Sequence, residues 1–396
     1  MFDSNKYRDL DPGIRTLMGP GPSDVEARVL NAMSAPCVGH LDPYFISIMD
    51  EVQQLLRYVF QTENELTIPM SGTGSAGMET CFVNLIEPGD EVLVCVNGVF
   101  GTRMCDIVER IGGRLIRVDF PWGRAIDPEE VRRVAKENKP KLIAVVHAET
   151  STGACSSLAD LSDVAKEFGA LFLVDCVTSL GGMAVDVDRN NIDAAYSGTQ
   201  KCLSCPPGLS PVTLSKAAVE KLNSRKSPVV SWYLDLTMIS SYWGGDRKYH
   251  HTAPINMNYA LREALRMIAE EGLEARFARH SQNHKALVAG LETMGLSMFV
   301  SEEERLPMLN AVCIPEGVTD ARVRSTLLND FKIELGAGLG ELAGKVWRVG
   351  LMGSSCTSRN IFLFLSSLYT ILKKEGADVR NGYLEAAEAM LGDKES

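Results

Sequence analysis

The sequence predicts an α/β protein built on a mostly parallel sheet, and three observations carry that reading. From about Leu66, short β-branched runs alternate with amphipathic stretches, the rhythm of strand and crossover helix. Two turns, Glu87-Pro88-Gly89-Asp90 and Ile111-Gly112-Gly113, punctuate the alternation where a helix should stop and a strand begin. The chain has 396 residues, enough for two to three domains of ~150 residues, with ordinary globular composition at 45% hydrophobic and 23% charged.

Taken in order, the strands expected are Leu66 to Met70, Glu91 to Val96, Leu115 to Phe120, Leu142 to His147, Leu171 to Val174, Ala194 to Ser197 and Pro211 to Leu214, a seven-stranded sheet. Helical patterns fall between them at Ala76 to Ile86, Gly101 to Ile111 and Leu158 to Phe168. After Tyr259 the pattern changes to two long charged amphipathic helices, about Ala260 to Glu271 and Leu273 to Met294, broken at Gly272. A second, smaller α+β unit follows, with strands at Ala311 to Pro315 and Val346 to Leu351, a helix at Asp320 to Phe331, and a closing helix near Asn360 to Lys374. No internal repeat or low-complexity tract interrupts this plan.

Charge and termini narrow the function classes. Against 51 acidic residues stand 40 basic ones, a net charge of −11 that disfavours nucleic acid and anionic lipid as partners. Ten cysteines scattered from Cys37 to Cys356 suit a reducing compartment better than a disulfide scaffold. The start, MFDSNKYRDLDPG, lacks a signal peptide's basic and apolar regions, and Lys394-Glu395-Ser396 is no peroxisomal or ER-retention signal. The longest apolar stretch, Ile361 to Leu372, is broken by Ser366 and Ser367 and falls short of the ~20 residues that span a bilayer. A cytoplasmic protein without a membrane span is expected.

Three local features carry chemistry. Ser71-Gly72-Thr73-Gly74-Ser75-Ala76-Gly77 follows a strand, opens a helix and fits G-x-G-x-x-G. Its glycines admit a phosphate to the backbone, and the helix amides with the hydroxyls of Thr73 and Ser75 donate to it. A dinucleotide site should end the next strand in Asp or Glu, but Val92 to Val96 ends in Asn97, which points to a single phosphate or to a tight turn without ligand. Asp175 closes the apolar strand Leu171 to Val174, at the sheet edge where α/β proteins place ligands, although an Asp there also serves as turn former or cap. Lys201 follows Asp175 by 26 positions, beyond Ser197-Gly198-Thr199-Gln200. Such a strand-end lysine can lose its proton and attack a carbonyl, whereas most lysines are solvated surface groups.

Phosphate loop, strand-end Asp and strand-end Lys occur in the order used by pyridoxal-phosphate enzymes of the aspartate-aminotransferase fold, fold type I. The wording is more specific still. The segments Met18-Gly19-Pro20-Gly21-Pro22-Ser23, Asn97-Gly98-Val99-Phe100-Gly101, His147-Ala148-Glu149-Thr150-Ser151-Thr152-Gly153, Ser197 to Lys201, Pro206-Pro207-Gly208, Tyr249-His250-His251-Thr252 and Trp347-Arg348-Val349-Gly350 resemble the class V aminotransferases of the alanine-glyoxylate and serine-pyruvate type, from about residue 14 to 375. The resemblance implies that Lys201 forms the internal aldimine with pyridoxal 5′-phosphate and moves the proton of the substrate α-carbon, while Asp175 keeps the pyridine nitrogen protonated. Phe100 would stack on one ring face, Val177 would press the other, and Thr150 would bond near the ring hydroxyl. Thr73, Gly74, Ser75 and Gln200 would hold the phosphate, joined by Tyr249 and Thr252 of a neighbouring subunit, which implies a homodimer with a shared site. Arg348 would clamp the substrate carboxylate, with Gly21 beside the substrate. By the same resemblance a large cofactor domain covers 23–270, and residues 1–22 join 271–396 as the small domain.

Two positions depart from the family's usual residues: many members carry Trp where Phe100 stands, and animal enzymes carry His where Ser75 stands. A sister group acting on ureidoglycine and glyoxylate typically has Asn in place of Tyr249. The function implied is transfer of an amino group from alanine or serine to glyoxylate or pyruvate by a ping-pong mechanism. The alternatives are a ureidoglycine-glyoxylate aminotransferase, a lyase such as a cysteine desulfurase, a nicotinamide dehydrogenase and a non-catalytic cofactor-binding module. Gln200 before Lys201 and Cys313 in a strand disfavour the desulfurase. Cys202-Leu203-Ser204-Cys205 has metal or redox spacing but no second pair, and His250-His251, if on a strand, would point to opposite faces, so no metal is expected. Glu302-Glu303-Glu304-Arg305 reads as a solvated loop.

Overall fold

A computed structural model describes residue 6 and residues 9–392; the start of the polar N-terminal stretch and the Lys394-Glu395-Ser396 ending lie outside the described residues. The elements in chain order are β1 (Thr16–Leu17), α1 (Ala27–Met33), α2 (Pro43–Phe60), β2 (Leu66–Ser71), α3 (Gly74–Leu85), β3 (Glu91–Val96), α4 (Val99–Arg110), β4 (Arg114–Asp119) and α5 (Pro128–Asn138). They continue with β5 (Leu142–Val146), β6 (Ala148–Glu149), β7 (Ala154–Cys155), α6 (Leu158–Phe168), β8 (Leu171–Asp175), β9 (Ala194–Tyr196), β10 (Leu209–Leu214), α7 (Lys216–Asn223), α8 (Leu236–Trp243), α9 (Ile255–Glu271) and α10 (Leu273–Met294). The last are β11 (Leu309–Cys313), α11 (Asp320–Phe331), β12 (Ile333–Glu334), β13 (Gly336–Ala337), β14 (Val346–Gly350), α12 (Ser358–Lys374) and α13 (Tyr383–Leu391).

All seven strands expected in the first unit pair into one sheet of order β2-β10-β9-β8-β5-β3-β4. The pairs from β9 through β8, β5 and β3 to β4 are parallel, and β10 runs antiparallel to both β2 and β9. Helices cover both faces, so the middle strands read as continuous apolar runs. In β8, Phe172, Leu173 and Val174 are at most 1% exposed, each burial contributing about 1.5–3 kcal/mol before chain entropy is counted. The helix starts follow from capping chemistry: the Asp42 side chain accepts from the Tyr44 amide ahead of Pro43 in α2, Asp127 accepts from Glu129 ahead of Pro128 in α5, and Ser157 caps α6. Gly77 is required where α3 crosses the sheet, because a Cβ there would lie 2.1 Å from Ser210 Oγ of β10.

A second apolar cluster forms around β11, β14, α10, α11 and α12, with Trp347, Phe364 and Leu368 fully buried. Met18 belongs to it, because β1 pairs in parallel with β12 and the Gly350 amide donates to the Met18 carbonyl at 2.7 Å. Strands β11, β14 and β13 form a three-stranded antiparallel sheet that carries Arg348. The Glu302–Glu304 run is a short exposed 3-10 helix rather than a loop, and Glu304 pairs with Arg124 at 2.8 Å.

Candidate active site

Side chains that the topology brings to the C-terminal edge of the sheet converge around Asp175 and Lys201. Asp175 ends β8 and lies opposite Tyr196, the last residue of β9. Its Oδ1 accepts the Val177 amide at 2.9 Å and its Oδ2 accepts the Tyr196 hydroxyl at 2.7 Å. Burial pushes this carboxyl up to about 6, with those two hydrogen bonds pulling the other way. The sequence signal for Asp175 was its place at a strand end; Tyr196, which fixes it, gave no signal of its own.

Lys201 lies in a turn beyond β9, not at the strand end where the sequence reading set it. The strand's pairing trails on through Ser197 N to Pro211 O at 2.8 Å, and Cys205 N to Thr199 O at 3.0 Å then folds the chain back. The N-terminal segment closes over this turn: Ser23 N donates to Gln200 O at 2.9 Å, Ser23 Oγ donates to Lys201 O at 2.8 Å, and Lys201 Nζ donates to the Pro20 carbonyl. Gly21, at φ +102°, leaves the lysine its path, since a Cβ there would meet Lys201 Cδ at 2.7 Å and Nζ at 3.1 Å. Burial, and then the positive charge of Arg348, lower the Lys201 amine to about 8.

The glycine-rich segment does begin a helix. Thr73 is the N-cap of α3, yet its side chain makes no cap bond, and the Gly74 and Ser75 amides donate to no backbone acceptor. Gly74 lies against Gly198 and Val177, a Cβ there falling 3.5 Å from Gly198 Cα and 3.6 Å from Val177 Cγ2. The carboxamide of Gln200 is turned in beside Gly198, its buried Oε1 without a partner. Arg103 of α4 donates to Ser75 Oγ at 3.1 Å, a contact the sequence reading missed.

Phe100 sits in the first turn of α4, held by a buried turn. The Phe100 amide donates to Glu149 Oε2 at 3.2 Å, the Val99 amide donates to Ser151 Oγ at 3.0 Å, and Ser151 Oγ donates to Glu149 Oε1 at 2.6 Å. Glu149 has no exposed surface, and burial raises its carboxyl against these donors. Its neighbour Thr150 accepts Arg348 Nη1 through its carbonyl at 3.1 Å, while Arg348 Nε donates to Ala337 O at 2.7 Å. Burial lowers Arg348 to about 10, opposed by the charge of Glu149. Glu149 lay within a quoted segment but carried no assigned role.

Tyr249 and Thr252 bond to each other at 3.3 Å and make no hydrogen bond to Thr73, Ser75 or Gln200. Between them the strand premise fails: His250 and His251 lie in a loop, with their Nδ1 atoms 2.8 Å apart and His251 Nε2 2.8 Å from Ser71 Oγ. Cys202 and Cys205 are buried free thiols, Cys202 donating to the Thr178 carbonyl at 3.3 Å. Among the described residues no group of His, Cys, Asp or Glu is arranged to hold a metal ion.

This geometry has close counterparts. The aminotransferase class-V family profile matches residues 24–350. The (S)-ureidoglycine–glyoxylate transaminase of Bacillus subtilis is 41% identical over 97% of this chain and 96% of its own length. The alanine–glyoxylate aminotransferase of Drosophila melanogaster is 40% identical over 89% of this chain and 91% of its own. The crystal structure of alanine–glyoxylate aminotransferase from Nostoc sp. superimposes with a TM-score of 0.92 at 49% identity, covering 94% of this chain and 99% of that one.

Proposed function

Given that the chain belongs to the class V aminotransferases, pyridoxal-phosphate enzymes with an aspartate-aminotransferase-like fold, we propose that it moves the amino group of alanine or serine to glyoxylate or pyruvate. The observation that carries this reading is the buried amine of Lys201 placed among Asp175, Arg348 and the Pro20 carbonyl. Names of relatives support glyoxylate as acceptor, since both alanine–glyoxylate and ureidoglycine–glyoxylate enzymes resemble this chain.

Pyridoxal phosphate fits the residues present. The uncapped start of α3 with Thr73, Gly74 and Ser75, and the carboxamide of Gln200, would hold the phosphate. Asp175 would pair with the ring nitrogen, Phe100 and Val177 would flank the ring, and Thr150 would bond near the ring hydroxyl. When bound, the cofactor supplies an electrophilic carbon and an electron-accepting ring. Lys201, whose amine burial lowers to about 8, would hold the cofactor and would carry at Nζ the proton lost from the substrate α-carbon. Arg348, with Nε and one Nη1 hydrogen fixed on backbone carbonyls, would grip the substrate carboxylate through the donors left on Nη1 and Nη2, and Gly21 leaves room for the Lys201 side chain beside it.

The domains proposed are 23–270 for the cofactor, and 1–22 with 271–396 for the small unit, in keeping with the two apolar clusters. A homodimer is supported by exposed aromatics: Trp232 is 61%, Tyr44 62% and Tyr249 53% exposed, with Trp232 stacked on His250 beside Tyr249. In it, Tyr249 and Thr252 of each subunit would reach the other's phosphate. The free cysteines support a cytoplasmic location, and no helix among the described residues is long and apolar enough to cross a membrane.

The test is a panel of amino donors, each with glyoxylate and with pyruvate, read as kcat/KM. Alanine or serine should lead. Ureidoglycine is the second reading, favoured by the Bacillus relative and disfavoured by Tyr249, and a lead by ureidoglycine would decide for it. A protein that gains no visible absorbance with pyridoxal phosphate refutes the whole assignment.

A further inference from the structure

The phosphate loop proposed above contains no cation. Thr73, Gly74, Ser75 and Gln200 offer neutral donors, and the start of α3 adds about half a positive charge, against nearly two negative charges on a phosphate monoester at neutral pH. Lys201 and Arg348 point their nitrogens at the carbonyls of Pro20, Ala337 and Thr150. In a chain of net charge −11, a basic side chain near Ser75 would supply the missing charge.

Arg103 is that side chain. It stands one turn after Phe100 on α4, which places both on the same face of the helix. Its Nη1 donates to Ser75 Oγ at 3.1 Å, and its guanidinium carbon sits 4.9 Å from the centre of the Phe100 ring. Neighbouring arginines on this flank have carboxylate partners: Arg110 with Asp106, Arg114 with Glu91 and Arg117 with Asp119. Among the described residues Arg103 has none; it donates to Ser75 and lies over Phe100, two residues of the proposed cofactor set. A guanidinium has five donors, so one can stay on Ser75 while others turn to a phosphate oxygen.

We infer that Arg103 is the phosphate-binding cation of this site, joining the α3 anion loop to the Phe100 ring. The inference rests on the reading that Thr73 to Ser75 hold the cofactor phosphate. It also gives the two departures in the sequence, Ser75 and Phe100, a common partner: the hydroxyl and the smaller ring are the two groups that Arg103 touches.

The experiment titrates full-length protein stripped of cofactor with pyridoxal phosphate and, in parallel, with pyridoxal, which lacks the phosphate, following visible absorbance to a dissociation constant. Arg103→Met should weaken pyridoxal phosphate by about 10- to 100-fold, the range for a hydrogen bond to a charged group, and leave pyridoxal within about twofold. Arg103→Lys should fall between, and the wild-type affinity for pyridoxal phosphate should lose more with added salt than that of Arg103→Met. Equal losses for both ligands would assign Arg103 to ring packing alone and overturn the inference, as would unchanged affinity in a folded Arg103→Met protein. Wild-type protein that binds neither ligand overturns the cofactor reading itself, and the inference with it.

Discussion

The pH at which Lys201 becomes a nucleophile follows from its surroundings and can be moved in two directions. The amine lies at about 8 rather than 10.5, first because it is buried and next because Arg348 is near, with the charges of Asp175 and Glu149 acting in the opposite sense. That drop disfavours the ammonium by about 3 kcal/mol relative to water. Since only the neutral amine attacks a carbonyl, the rate of trapping with phosphate-free pyridoxal and borohydride should rise with pH and level off with a midpoint near 8. Arg348→Leu removes a repelling cation, so the midpoint should climb, yet stop short of 10.5 because burial persists. Glu149→Gln removes a supporting anion and should lower the midpoint. A displacement of about 0.5 pH unit, roughly 0.7 kcal/mol, is readily measured by quantifying labelled Lys201 peptide across a pH series. If both variants keep the wild-type midpoint, or both move it the same way, the electrostatic account of this amine is refuted.

Asp175→Asn keeps the shape of the side chain but offers no anion to a protonated ring nitrogen; kcat should fall about 100-fold or more in single-turnover assays of the loaded enzyme, with the fold retained by circular dichroism. Arg348→Lys should raise KM for amino acid and 2-oxo acid alike, by roughly 10- to 100-fold, with a smaller change in kcat, because an ammonium cannot reproduce the planar fork. Gly21→Ala places a methyl 2.7 Å from Lys201 Cδ at a φ of +102°, so thermal stability should drop by about 1–2 kcal/mol and the trapping rate should fall with it. Sedimentation should show a dimer, and Trp232→Glu, at a 61% exposed aromatic, should shift it towards monomer.

How much of this was legible in the sequence depended on the range of the interaction. Strand β3 reads as an apolar run because helices cover both its faces, and Val92 to Cys95 have no exposed surface. Helix α2 went unread although Phe45, Ile48, Met49, Val52 and Leu56 repeat at helical spacing, because it precedes the strand-helix alternation that organised the reading. Asp175 was legible as a strand end, but the displacement of Lys201 into a turn depends on Ser197 still pairing with Pro211, a cross-strand fact. The Arg103 contact joins positions 28 apart in sequence, and the Glu149 contact to Phe100 joins positions 49 apart. No local pattern announces either. The two histidines misled for the opposite reason: adjacency invites a strand rule, and the loop they occupy turns their rings towards one another.

One physical cause, burial, sorts the charged groups of the site into different tasks. It moves Asp175 up to about 6 and Lys201 down to about 8, so these two approach neutrality from opposite sides. A group in that range exchanges protons with least mismatch at physiological pH, which suits the acid-base work proposed for the lysine, while the carboxyl raised by burial would be drawn back to its anion by a protonated ring nitrogen beside it. The same desolvation lowers Arg348 only to about 10, where it stays charged throughout. Arg348 is therefore confined to electrostatic grip, and its two backbone anchors leave it little freedom to choose among substrates beyond requiring a carboxylate. Discrimination among alanine, serine and ureidoglycine must then come from residues that meet the remainder of the donor, so substitutions at Arg348 should scale kcat/KM for all three donors alike while leaving their ranking unchanged.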